Sequence, residues 1–332
     1  MKFDQIISDL KNKIYYPVYF LTGEEPYFID VISDFIEENV LTDTEKEFNQ
    51  TIVYGLETDV KSIAAIARRY PMMSNYQVVI VKEAQHVDEI EELLPYVENP
   101  LNSTLLVLCY KFRKLDGRTA FAKKVGAKGA VFESKKLYDN QVGGWIENYL
   151  KQQGFSITPK ATAIMADYLG NDLGKIVNES SKLILNIRPG ELITESLVEQ
   201  NVGISKDFNI FELQNAIGEK NVLKANRIIN YFAANPKDNP LVKVITILYS
   251  FFSKLLIYHQ LTDKSKNHVA SALGVNVFFI GDYEKAARNY DPARLKRIIG
   301  YLREYDMKSK GFENVSTSHG ELMKELLFKI LH

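Results

Sequence analysis

Along the first 135 or so residues, short unbroken apolar runs alternate with segments whose apolar positions recur every three or four residues. Pro17-Val18-Tyr19-Phe20-Leu21 is the first run and stops at Thr22-Gly23; Phe28, Ile29, Ile32, Phe35 and Ile36 then follow at helical spacing. The alternation repeats through Gln50-Thr51-Ile52-Val53-Tyr54, then Val60, Ile63, Ala64 and Ala67, then Gln77-Val78-Val79-Ile80-Val81. Ile90, Leu93, Leu94 and Val97 predict the next helix, Thr104 to Cys109 a strand, Ala120 to Val125 a short helix and Ala130 to Glu133 a last strand. Continuous apolar runs predict strands buried on both faces, and the interleaved spacing predicts amphipathic helices. The expectation is a five-stranded parallel sheet with helices on both faces.

After residue 135 the strand-like runs stop. Trp145, Ile146, Tyr149 and Leu150 share one helical face, and Pro159 is suited to a helix's first turn, where its missing N–H costs nothing. Asp172-Leu173 opens a helix carrying Ile176, Val177, Ser180, Leu183 and Ile184; Pro189-Gly190 marks a turn; Thr194 stands at the cap of a short helix to Gln200. A second helical group begins near Phe208. Its helices are expected over Val222 to Ala233, Pro240 to about Leu261, Asn276 to Asn289, Pro292 to Lys308 and from Ser318 onward. The pattern thus predicts a multidomain chain, α/β first and all-α after.

Composition adds limits. The chain has 332 residues, 46% hydrophobic and 25% charged, as expected of a globular protein of two or three domains. Its 41 basic and 42 acidic residues leave a net charge of −1. A protein that grips DNA unaided usually carries a basic excess, so any DNA contact is expected to be shared with partners. Cys109 is the one cysteine, which excludes an internal disulfide and a cysteine-rich zinc site and makes the cytosol the expected location. The N-terminus, Met1-Lys2-Phe3-Asp4-Gln5, has no apolar signal core, and Thr246, Ser250, Ser253 and Lys254 interrupt the longest apolar run. No membrane association is expected.

The chemistry of enzymes is hard to find. The loop Thr22-Gly23-Glu24-Glu25-Pro26-Tyr27 lies between a strand and a helix, where a phosphate-binding loop would sit. Such a loop needs glycines, a Lys for charge and a Ser or Thr for Mg²⁺. Only Gly23 fits, and Glu24 and Glu25 would repel phosphate. After the third expected strand Glu83 stands alone beside Lys82. His86, His259, His268, His319 and His332 are scattered without metal-ligand spacing. No catalytic residue, metal or cofactor is expected. Two segments do stand out. In Pro71-Met72-Met73-Ser74-Asn75-Tyr76, adjacent methionines lie about 100° apart on a helical turn. Either one of them faces outward as an adaptable binding surface, or both pack beneath the loop. Lys111, Arg113, Lys114, Arg118, Lys123, Lys124 and Lys128 cluster around Tyr110 and Phe112. They read either as a phosphate-tracking patch or as solvated surface.

Several of these segments, in this order, resemble the delta subunit of the bacterial clamp loader. They are Pro17 to Phe28, Pro71 to Val79, and Trp145-Ile146 with Gly154, Ile157, Ala161, Leu169 to Leu173 and Asn178-Glu179. Phe211 to Ile217, Phe278-Phe279, Tyr283 to Ala287 and Tyr305 to Lys308 complete the set. The resemblance spans essentially the whole chain. It implies an AAA+-like α/β domain with a degenerate phosphate loop over residues 1–140, a helical lid over 141–208 and a helical collar for oligomerisation over 209–332. It implies a non-catalytic, clamp-opening role in DNA replication, within the DNA-directed DNA polymerase holoenzyme, a nucleotidyltransferase assembly. The implied partners are the beta sliding clamp, the gamma/tau ATPase subunits, delta-prime and primed DNA. The implied clamp-binding residues are Met72 and Met73, supported by Pro71, Ser74 and Asn75. The family often has Leu and Phe there, so the methionines keep the apolar volume but change its shape. Lys111, Arg113, Lys114 and Arg118 are the candidates for facing DNA. A delta-prime-like structural subunit and a stand-alone DNA-binding protein are the alternatives.

Overall fold

Every residue of Val18–Gly23 is buried, as a strand covered on both faces must be. The computed structural model describes residues 1–202, 208–314 and 316–332. The chain divides into two compact units, Met1–Tyr138 with Asn171–Lys175, and Asp139–Gly170 with Ile176–His332.

The first unit contains, in order, α1 (Phe3–Lys11), β1 (Val18–Gly23), α2 (Pro26–Asn39), α3 (Asp43–Asn49), β2 (Gln50–Tyr54), α4 (Val60–Ala67) and β3 (Gln77–Lys82). Two 3₁₀ turns, Ala84–His86 and Ile90–Leu93, precede α5 (Leu94–Glu98), β4 (Thr104–Lys111), α6 (Ala120–Lys128) and β5 (Ala130–Ser134). The strands form one sheet of order β2-β3-β4-β1-β5 with every pairing parallel. Side chains alternate across it with the period of two that a pleat imposes. Val18, Phe20, Val79, Val81, Leu106 and Leu108 pack with Ile63, Phe121 and Val125 on one face. Tyr19, Leu21, Val78, Ile80, Leu105 and Val107 pack with Ile6, Ile29, Ile32 and Ile36 on the other. This is the five-stranded parallel sheet with helices on both faces that the sequence pattern predicts.

The second unit contains α7 (Asp139–Gln152), β6 (Ser156–Ile157), α8 (Pro159–Leu169), α9 (Leu173–Leu185, whose first turn belongs to the first unit), β7 (Leu192–Ile193) and α10 (Glu195–Val202). There follow α11 (Ile210–Gly218), α12 (Val222–Ala234), α13 (Leu241–Gln260), α14 (Lys266–Leu273), α15 (Ile280–Asn289), α16 (Pro292–Ser309) and α17 (His319–Leu331). The expectation that strands stop after residue 135 needs correcting, because β6 and β7 form a two-stranded parallel pair. Each is two residues long, too short for any periodicity. The expected boundary near 208 abuts residues 203–207, which lie outside the described residues.

Helix α13 bears on the expectation of no membrane association. It is 20 residues long and contains an 18-residue stretch with a mean hydropathy of 1.7, enough by length and composition to cross a membrane. Its apolar character is explained by packing: Leu241, Val244, Ile245, Leu248, Phe251, Phe252 and Leu255 recur at helical spacing and all enter one core with α11, α12, α15, α16 and α17.

An ion-pair node ties α8, α11 and α12 together. Glu212, 7% exposed, accepts from Lys160 at 2.6 Å and also from Lys224. Burial alone would push its carboxyl up, but the two ammonium groups outweigh it and hold the carboxyl below its ordinary range. A carboxyl that is depressed in the folded state adds stability above its unfolded value, near 4.5, and loses it as pH falls through the lower folded value. Glu212→Gln is expected to cost about 2 kcal/mol at neutral pH and to flatten the loss of stability below about pH 5. Denaturant melts of both proteins at pH 7 and pH 4 measure it; equal pH dependence would remove Glu212 from this role.

Candidate functional site

The β1–α2 loop occupies the position of a phosphate loop, and its backbone donors are already used. Gly23 N–H donates to Arg113 O at 3.0 Å, Glu24 N–H to Ser134 O at 3.2 Å and Glu25 N–H to Ser134 Oγ at 3.2 Å. The same three N–H groups would have to turn outward to cradle a phosphate. Gly23 is what lets the loop close so tightly. Its φ is +125°, and a Cβ there would lie 2.1 Å from Ser134 O. The start of α2 carries the chain's own anion: Glu25, 2% exposed, accepts from Tyr27 N–H at 3.1 Å as the N-cap. Burial pushes its carboxyl above the usual range, more than the hydrogen bond lowers it.

Glu83, at the end of β3, is engaged by Lys111 at 3.2 Å, and Lys82 is taken by Glu37 at 2.9 Å. Cys109 is buried in β4, and that burial pushes its thiol up to about 12, so it stays protonated and a poor nucleophile.

The basic segment expected near Tyr110 is largely neutralised within the first unit. The Lys111 side chain is only 13% exposed and pairs with Asp30 at 2.7 Å as well as Glu83. Lys114 meets Glu133 at 3.1 Å, Arg118 grips Asp116 at 2.8 Å, and Arg113 reaches toward Gln85 O at 3.4 Å. Lys111 thus stands as a counter-ion between α2 and the end of β3.

The segment Pro71 to Tyr76 is different. Met72 is 63% exposed and Met73 is fully exposed, at 103% of its reference area. Pro71 and Ser74 are half-buried and Asn75 is exposed. Of the two placements open to these methionines, the outward one is observed, and for both. The turn is nonetheless fixed. Asn49, the buried last residue of α3, donates from Nδ2 to Met72 O at 2.9 Å and accepts Met72 N–H on Oδ1 at 2.6 Å. Hydrogen bonds from Thr42, the N-cap of α3, hold the Glu45 carboxyl below its usual range. Downstream, Tyr76 meets Tyr15 edge-on with ring centroids 5.1 Å apart, and Gln77 Nε2 donates to Ile66 O at 3.0 Å. Met73 is held in the left-handed region at φ +55°, a conformation that a non-glycine residue keeps only when its surroundings enforce it.

Exposed methionines on an enforced turn make an adaptable apolar contact surface. Two more exposed apolar side chains flank it, Phe48 next to Asn49 and Tyr70 before Pro71. Phe48, Asn49 and α3 itself were missed in the sequence. The available signal was Thr42-x-x-Glu45, which forms a reciprocal capping box at the start of α3.

Comparisons with known proteins agree on one family. The family described as DNA polymerase III, delta subunit matches residues 19–135, and its C-terminal domain matches residues 207–328. A Bacillus subtilis (strain 168) protein, DNA polymerase III subunit delta, is 27% identical over 324 residues, covering 93% of this chain and 92% of its own. The solved Bacillus subtilis DNA clamp loader delta protein superposes with a TM-score of 0.52 at 24% identity, covering 99% of both chains. At that identity the superposition bears on the fold alone.

Proposed function

The chain belongs to the DNA polymerase III delta subunit family of clamp-loader components, and we propose that it is the member that docks on the sliding clamp and favours its opening. The observation that carries this reading is the exposed Met72–Met73 turn, tethered by Asn49, on a domain whose phosphate-loop N–H groups are spent on Arg113 and Ser134. Work on the clamp would then come from binding. The two methionines enter an apolar pocket on the clamp, as central anchors do in protein interfaces. A rigid domain that fits an open clamp interface better than a closed one shifts the clamp toward opening by that difference in affinity.

In this reading the chain hydrolyses nothing. Nucleotide chemistry belongs to the gamma/tau ATPase subunits, with delta-prime as a further neighbour in the assembly. The helices of residues 141–208 act as lid and those of 209–332 as collar, where the subunits assemble. Contact with primed DNA is shared across the assembly, consistent with the near-zero net charge of −1 and the paired cations around Lys111. The site of action is the cytoplasm. Reconstituted loading of the clamp onto primed DNA tests the reading. Loading should require this chain, and loading at full rate without it would remove the proposed role.

The phosphate loop yields its own prediction. Mg²⁺–ATP at 1 mM should leave the melting temperature of the isolated chain unchanged within about 0.5 °C, because a ligand stabilises only as RT ln(1 + [L]/Kd). A shift of several degrees would show that the loop opens to nucleotide.

A further inference from the structure

We infer that Asn49 is a positioning residue for docking: its buried amide sets the backbone of the Met72–Met73 turn, so the turn meets its partner already formed. The inference rests on the docking reading above and extends it to a helix that touches the partner through neither methionine.

The geometry is a two-point match. Oδ1 accepts Met72 N–H at 2.6 Å while Nδ2 donates to Met72 O at 2.9 Å and to Glu45 O at 3.1 Å. A single side chain thereby gives Met72 the donor and acceptor that a neighbouring strand would give, at a place where no strand exists. Only an amide can do this. A carboxylate would put an acceptor where Nδ2 now donates to the carbonyls of Met72 and Glu45, a hydroxyl cannot span both Met72 groups, and an aliphatic side chain offers neither donor nor acceptor. Asn49 is 2% exposed, so solvent does not compete for these bonds. Beside the Met72 that these bonds hold stands Met73 at φ +55°. Without the bonds, residues 71–75 would have to be ordered during docking, and ordering on binding subtracts from affinity.

The test is equilibrium binding of the full chain to the sliding clamp of the same organism, combined with amide hydrogen exchange at Met72 in the free protein. Asn49→Leu keeps the branched skeleton and replaces the amide by two methyl groups. It is expected to raise exchange at Met72 and to weaken binding about tenfold. In a Met72→Ala/Met73→Ala background the same change should cost less than about twofold, because no anchors remain to be positioned; a general loss of stability would weaken both backgrounds alike. If Asn49→Leu melts below the assay temperature, Asn49→Ser, which keeps one oxygen, should weaken binding about threefold. Unchanged affinity in a folded Asn49 variant, with the methionine pair still required, overturns this inference and leaves the docking reading standing. Wild-type binding that is absent, or indifferent to the methionine pair, overturns both.

Discussion

Replacing Met72 and Met73 together by glutamate is expected to lower affinity for the clamp by nearly a thousandfold and to leave the melting temperature unchanged. Two central, desolvated anchors contribute on the order of 2 kcal/mol each, and about 4 kcal/mol is close to three decades in Kd. Carboxylates in an apolar pocket would add a desolvation cost. The fold should not register the change. Both side chains are exposed, and substitutions at such positions usually stay within about 0.5 kcal/mol. Turn geometry is preserved as well, because Asn49 holds Met72 through its backbone. Clamp loading by an assembly containing the variant is the functional measurement. Loading at the wild-type rate would remove the two methionines from the site.

Gly23→Ala should produce the largest loss of stability from the smallest change in mass. Gly23 pairs with Ser134 across the β1–β5 ladder. An added Cβ would sit 2.1 Å from Ser134 O, 2.5 Å from its Oγ and 2.6 Å from its N. Two of those three atoms are backbone, so the strands must separate, and φ +125° is unfavourable for alanine besides. We expect a cost on the order of 3 kcal/mol or more, which lowers the melting temperature of the first unit by roughly 10 °C. Gly154 is the control. Its φ is +84°, but nothing lies within 4 Å of its Cβ position, so alanine there pays only the conformational penalty of about 1 kcal/mol. Equal effects at the two positions would mean that the close approach to Ser134 does not decide the loop's stability.

The sheet was legible because its three central strands are buried on both faces. Val78, Val79, Ile80 and Val81 form an unbroken run only because alternate members serve opposite cores. Helix α13 was legible for a related reason, since its buried positions keep helical spacing over 20 residues. Helix α3 was not. Its one large apolar side chain, Phe48, is exposed, so the helix leaves no periodic stripe; the capping box at Thr42 and Glu45 and the tethers to the turn hold it in place.

The candidate site shows the same division. Side-chain type singled out Met72 and Met73, but the amide bonded to the Met72 backbone belongs to Asn49, a residue with no sequence pattern linking it to them. The basic segment is the converse case. Lys111 stands in a run of cations, yet its partners Asp30 and Glu83 come from α2 and the end of β3, and only the fold brings them together. The loop at Gly23 was read correctly as lacking the phosphate-loop Lys. That its N–H groups are spent on Arg113 and Ser134 depends on residues over a hundred positions away in the case of Ser134, beyond any local motif.

The most direct measurement is a titration of the purified wild-type chain against the sliding clamp of the same organism, read by calorimetry at several temperatures and two salt concentrations. The account predicts saturable binding with a negative heat-capacity change, as burial of apolar side chains requires, and little weakening between 50 and 200 mM salt. A folded chain that does not bind the clamp, or binds it only through a steeply salt-sensitive contact, would contradict it.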